Sequence, residues 1–181
     1  MLKLINDIKE VLFTEDKIAK KVQELGKLIS EDYKGEDLFI IGVLKGANVF
    51  LSDLIRKITV PVTIDFMAVS SYGSYTESSG VVKIIKDLDF SIENKNILIV
   101  EDIIDTGLTL KYLRENLITR GPKSIKICSL LDKPERRKAD IKIDYIGFEI
   151  PDEFIVGYGI DYAEKYRNLP FIATLKQEVY E

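Results

Sequence analysis

Residues 96–109 read Asn-Ile-Leu-Ile-Val-Glu-Asp-Ile-Ile-Asp-Thr-Gly-Leu-Thr, and the stretch 109–120 that follows has a helical pattern. The apolar run at 96–100 has the length and β-branched content of a strand buried on both faces. Acids follow at Glu101, Asp102 and Asp105, with hydroxyls at Thr106 and Thr109. A strand that ends in polar residues and turns into a helix is a βα unit, and ligands bind beyond the carboxyl ends of such strands. The turn from Asp105 to Thr109 brings backbone N–H groups and hydroxyls around a phosphate at a helix N-terminus, where Gly107 permits close approach. Carboxylates such as Glu101 and Asp102 suit vicinal hydroxyls and hard cations. The stretch therefore points to a phosphorylated sugar held with magnesium.

Outward from this unit, apolar segments at 38–43, 62–69, 81–86, 124–131, 143–148 and 154–158 favour strands, and 47–57 reads as a second crossover helix. Thr14 caps an earlier helix with the apolar stripe Ile18, Val22, Leu25 and Ile29, acids Glu15 and Asp16 in its first turn, and Gly35 beyond its end. The alternation predicts an α/β fold with a mainly parallel central sheet flanked by helices. No repeat or Pro/Gly-rich linker interrupts the chain, so residues 1–181 are expected to form one domain. The longest polar interruption, 70–80 (SSYGSYTESSG), has the length of a lid loop.

Composition narrows the chemistry. The chain has no histidine, which removes Ser-His-Asp and Cys-His catalysis and most zinc sites, so proton transfer falls to carboxylate, tyrosine, lysine or thiol. A single cysteine, Cys128, allows no internal disulfide and suits a reducing compartment. The start carries Lys3, Asp7, Lys9 and Glu10 with no long apolar stretch, so neither signal peptide nor membrane span is expected, and the location implied is cytoplasmic. A formal charge of −4 argues against a general nucleic-acid binder. Neither GxxxxGK(S/T) nor the three-glycine dinucleotide fingerprint occurs, since Gly157-Tyr158-Gly159 lacks a glycine at 162.

The run VEDIIDTGLTL (100–110) resembles the phosphoribosyl-pyrophosphate motif of the type I phosphoribosyltransferases. Leu44-Lys45-Gly46, Ser71-Tyr72, Leu131-Asp132-Lys133, and Phe154-Ile155-Val156-Gly157-Tyr158 through Asp161 to Arg167 narrow the resemblance to the hypoxanthine-guanine branch, from about residue 10 onward. The resemblance implies a magnesium-dependent transferase of purine salvage that joins hypoxanthine, and guanine, to phosphoribosyl pyrophosphate. It also implies a small hood near the C-terminal strand ends and a homodimer or homotetramer.

By the same resemblance, Glu101 and Asp102 meet the ribose diol and metal, and Asp105 accepts the purine proton. Thr106, Gly107, Leu108 and Thr109 cradle the 5′-phosphate, with Leu108 standing where some members carry lysine. Lys45, Gly46 and Arg167 hold pyrophosphate, the Leu44–Lys45 peptide being one that can be cis. Lys133 donates to the 6-oxo group, Phe154 stacks on the base with Ile155 beside it, and Asp161 is a second metal ligand near the base edge. Ser71 and Tyr72 belong to the closing loop.

Two other readings compete. A phosphorylation-dependent receiver would share the strand-end acids and Asp132-Lys133-Pro134, but no further strand end with a phosphoacceptor aspartate lies between Asp102 and Lys133. A phosphoribosyl-pyrophosphate-sensing regulator on the same fold would bind nucleic acid, against which the acidic balance weighs.

Overall fold

Strand β5 (Asn96–Ile104) is at the middle of a six-stranded sheet. The computed structural model describes residues 2–71 and 82–180. Before β5 come α1 (Leu2–Ile5), β1 (Ile8–Phe13), α2 (Glu15–Asp32), β2 (Leu38–Leu44), α3 (Ala47–Ile55), β3 (Val62–Ser71) and β4 (Val82–Lys86). After it come α4 (Leu108–Ile118), β6 (Ser124–Asp132), β7 (Tyr145–Glu149), β8 (Ile155–Val156) and β9 (Ile172–Leu175), with short 3₁₀ turns at Pro134–Arg136 and Gln177–Val179.

The main sheet runs β4-β3-β2-β5-β6-β7 and is parallel except for the β3–β4 pair at its edge. Alternation within the strands sorts the core. Leu38, Ile40, Leu98, Val100, Cys128 and Leu130 pack towards α2 and α3. Phe39, Ile41, Ile97, Ile99 and Ile127 pack on the other face against Leu110, Leu113 and Leu117 of α4. Burial on both faces accounts for the unbroken apolar runs.

Thr14 caps α2, its hydroxyl accepting from Lys17 N at 3.4 Å, and Glu15 and Asp16 occupy the first turn as expected. Ile18, Val22, Leu25 and Ile29 are all buried. The strand expected at 154–158 shortens to Ile155–Val156, because Gly157 (φ 98°), Tyr158 (φ 50°) and Gly159 (φ 100°) turn the chain away. The expected helices end a little early, at Ile55 and Ile118.

β1 and β9 have no counterpart among the strands expected from sequence. They join β8 in a three-stranded antiparallel sheet, β1-β9-β8, with Val11 opposite Ala173 and Val156 opposite the same residue. This small sheet is the hood. It stands over the strand ends of the main sheet: the Gly159 backbone abuts the Gly46 carbonyl, and Lys133 reaches the carbonyl of Glu153. Among the described residues no helix is long and apolar enough to cross a membrane.

Candidate active site

The ends of β2, β5 and β6 and the hood segment 152–167 enclose a crevice with two charged lobes. In the first, the Leu44–Lys45 peptide is cis and Gly46 begins α3. A side chain at Gly46 would collide with Oδ2 of Asp102, so glycine is what lets the β2–α3 turn lie against the β5 acids. Lys45 Nζ is 3.0 Å from Glu164 Oε2. Arg167 donates to the Gly159 carbonyl at 2.8 Å and pairs with Asp161 at 2.8 Å and Glu164 at 3.4 Å. Lys45, Gly46, Asp102, Asp161 and Arg167 thus converge in one lobe.

Charge in this lobe is concentrated. Burial, reinforced by the neighbouring charge of Asp102, holds the Glu101 carboxyl well above its usual range. The Asp102 carboxyl is pushed up to about 6, mainly by burial; Asp161 adds to the rise, while the Ile103 N–H and Arg167 oppose it. Among the described residues no three acidic or thiol groups form a closed metal cage. Partly desolvated carboxylates that raise each other's proton affinity fit a hard cation completed by substrate oxygens, which is how magnesium is ordinarily held.

The second lobe is organised around Asp105. Its carboxylate accepts from Arg136 Nε at 2.6 Å, and the same guanidinium donates to Asp152 at 3.1 Å. Asp152 also accepts from Lys133 Nζ at 3.3 Å, and Lys133 donates to the Glu153 carbonyl at 2.7 Å. Lys133 is only 8% exposed, so it is no ordinary surface lysine. Asp105, Lys133, Arg136, Asp152, Phe154 and Tyr180 line a cavity of about 430 Å³, within the range of small-molecule sites.

Phe154 keeps 39% of its surface exposed, although the Phe-Ile-Val run around it has the composition of core. Its ring stacks on Tyr180 at 4.8 Å and meets Tyr162 edge-on at 5.2 Å. Ile155 is buried in the main core, and its backbone pairs with Thr174 of β9.

Between the lobes, Glu101, Asp105, Thr106, Gly107 and Thr109 line a cavity of about 150 Å³. Gly107 takes φ 75°, a left-handed conformation that β-carbon residues resist, and starts α4. The 3₁₀ turn braces this loop from behind: Lys138 and Ala139 donate to the Thr106 carbonyl, and Arg137 lies against Gly107 while pairing with Asp132. Leu108 sits at the first turn of α4 and brings no charge to it. Another cavity, of about 440 Å³, lies at the opposite ends of the strands, but its polar groups Glu36, Asn96 and Lys123 already bond one another.

Ser71 ends β3; Tyr72 and most of the 70–80 loop lie outside the described residues. Arg136, Asp152, Glu164 and Tyr180 were not singled out from sequence. The paired arginines after Lys133-Pro134 are the only local signal for Arg136, and the other three become legible through distant contacts alone.

Residues 10–163 match the phosphoribosyl transferase domain family. The hypoxanthine-guanine phosphoribosyltransferase of Bacillus subtilis (strain 168) is 60% identical over 176 residues, covering 97% of this chain and 98% of the relative. A crystal structure of a Staphylococcus aureus hypoxanthine phosphoribosyltransferase superposes with a TM-score of 0.96 at 57% identity, covering 98% and 97% of the two chains. This chain belongs to the hypoxanthine-guanine phosphoribosyltransferase family. A further member of that family, from Bacillus anthracis, superposes with a TM-score of 0.90 at 56% identity, covering 93% of this chain and 99% of its own. The type I phosphoribosyltransferase fold, with its parallel sheet and antiparallel hood, is therefore the architecture of this hypoxanthine-guanine phosphoribosyltransferase family member.

Proposed function

We propose that the crevice joins hypoxanthine or guanine to phosphoribosyl pyrophosphate, with its two lobes dividing the work between leaving group and base. The enzyme is a pentosyltransferase of purine salvage, as its family membership implies. The observation that carries the division of roles is that a buried amine, Lys133, and a carboxylate, Asp105, line one base-sized cavity whose aromatic wall, Phe154, is left open.

In this reading the 5′-phosphate rests on the amides and hydroxyls of Thr106 to Thr109 at the start of α4. Glu101 and Asp102 accept from the ribose hydroxyls. Lys45, the Gly46 backbone and Arg167 neutralise the pyrophosphate, exchanging their present bonds to Glu164 and Asp161 for phosphate oxygens. Glu101, Asp102 and Asp161 would hold magnesium together with substrate oxygens, and the ion would supply charge neutralisation for the leaving group.

Phe154 stacks on the base and Lys133 donates to its 6-oxo group, while an ammonium has no lone pair to offer the 6-amino group of adenine. The bond from the anomeric carbon to pyrophosphate oxygen breaks and the bond to the purine nitrogen forms. Asp105 takes the proton from that purine ring, a role open to a carboxylate in a chain without histidine. Closure of the 70–80 loop, with Ser71 and Tyr72, excludes water from the activated ribose.

The decisive experiment incubates the protein with magnesium, phosphoribosyl pyrophosphate and one purine at a time. IMP and GMP should form with stoichiometric pyrophosphate, and only upon magnesium addition. Adenine should react poorly. Efficient AMP formation, or turnover in the presence of a chelator, would contradict the roles assigned here.

A further inference from the structure

Arg136 belongs to none of the motifs that carry the family resemblance, yet among the described residues it is the only side chain that bonds both Asp105 and a partner of Lys133. Its Nε donates to Asp105 at 2.6 Å and its NH1 to Asp152 at 3.1 Å, while Asp152 accepts from Lys133 Nζ at 3.3 Å. The local chain aims it there. Pro134 opens a 3₁₀ turn closed by Arg136 N to the Lys133 carbonyl at 3.1 Å and Arg137 N to the Pro134 carbonyl at 3.2 Å. The turn sends Arg136 towards Asp105 and sends Arg137 to Asp132 on the other side.

We propose that Arg136 is a positioning residue for the base-transfer step: its guanidinium fixes the proton-accepting carboxylate of Asp105 and, through Asp152, the 6-oxo-reading ammonium of Lys133 in one charged chain. The proposal rests on the reading of Asp105 and Lys133 given above. A carboxylate on a rotatable side chain must present one lone pair towards a purine N–H held at a set distance from Lys133, and small misplacements are costly in such geometry. A planar guanidinium with several donors can hold two carboxylates at a fixed angle, which a lysine cannot. The Arg136 side chain is 46% exposed, so this ion pair adds little to folding, and its worth lies in orientation.

The test measures single-turnover rates for wild type, Arg136→Gln, Arg136→Lys, Asp105→Asn and the double variant Asp105→Asn/Arg136→Gln. Each is assayed with hypoxanthine and with 8-azahypoxanthine, whose ring N–H is more acidic. Arg136→Gln should slow hypoxanthine transfer by about tenfold, the worth of one charged hydrogen bond in a half-exposed setting. Affinity for phosphoribosyl pyrophosphate should stay unchanged. The defect should shrink with 8-azahypoxanthine, which needs less help in losing its proton; a merely structural role would not distinguish the two bases. Arg136→Lys should recover part of the rate, and Arg136→Gln should cost clearly less in the Asp105→Asn background than in wild type, because one of its two arms acts through that carboxylate.

Wild-type rates in Arg136→Gln, equal losses with both bases, or a loss confined to phosphoribosyl-pyrophosphate affinity would overturn the proposal. The prior reading fails separately: unchanged chemistry in Asp105→Asn removes the acceptor itself, whereas a slow Asp105→Asn beside a normal Arg136→Gln removes Arg136 alone.

Discussion

Gly46 and Asp102 lie so close that a β-carbon on the first would overlap the carboxylate of the second. Gly46 has φ −61°, an ordinary helical value, so its identity is dictated by the space beside Asp102 and not by backbone conformation. Gly46→Ala should therefore fold, at a cost of about 1–3 kcal/mol from overpacking. Displacing the β2–α3 turn should reduce kcat/KM for phosphoribosyl pyrophosphate on the order of a hundredfold. Thermal melts and steady-state kinetics check both. A variant with normal kinetics would show that the contact does not set the lobe's geometry.

Burial of the Asp102 carboxyl makes stability depend on pH. Its carboxyl rises from 3.8 to about 6 in the folded chain, so between those values the folded state binds a proton that the unfolded state releases. Stability contributed by this group is therefore present at low pH and lost as pH rises through about 6. That displacement corresponds to at most about 3 kcal/mol at neutral pH, and the partial exposure of Asp102 to crevice water reduces it to roughly 1–2 kcal/mol. Asp102→Asn keeps an oxygen for the Ile103 N–H, now bonded at 2.9 Å. Ligand-free Asp102→Asn should melt a few degrees higher than wild type at pH 7.5, with the gain fading by pH 4.5. The contact with metal and diol proposed for this carboxylate predicts the reverse order in magnesium and phosphoribosyl pyrophosphate. Scanning calorimetry across pH, with and without ligand, reads both effects.

Lys133 is buried with its amine between Asp152 and the Glu153 carbonyl, and the proposed function has it donate to a 6-oxo acceptor. Lys133→Met should lower kcat/KM for hypoxanthine and guanine together by roughly ten- to a hundredfold, corresponding to the loss of a charged hydrogen bond of about 1.5–3 kcal/mol. Adenine, already poor, should change least. An unchanged hypoxanthine constant would sink the assignment.

Phe154 is stacked on Tyr180 yet still 39% exposed. Phe154→Ala should leave the melting temperature nearly unchanged while raising KM for the base about tenfold, in line with an aromatic stacking worth of about 0.5–1.5 kcal/mol beyond lost area. KM for phosphoribosyl pyrophosphate should not follow. Equal rises in both constants would point to general disruption of the hood.

The strands that bury both faces were readable because their composition follows directly from their surroundings: β2 and β5 are near-continuous apolar runs, and Thr14 with its following acids announced α2. β1 was not, since IKEVLF carries two charges and exposes half its face, and β9 is only four residues long. Neither is a strand by its own pattern. Each exists through the pairing of Val11 with Ala173 across most of the chain.

The same division runs through the active site. Local sequence marked the candidate phosphate loop, because a strand, an acid pair, Gly107 and two threonines lie within a short run of the chain. It also determined, by the absence of histidine, that proton transfer falls to carboxylate, tyrosine, lysine or thiol. Only the tertiary structure decided what surrounds these groups: Arg136 reaches Asp105 across 31 positions and Lys45 reaches Glu164 across 119. Side-chain direction, burial and electrostatic environment are properties of packed neighbours, so a lysine such as Lys133 reads as surface until the hood closes over it.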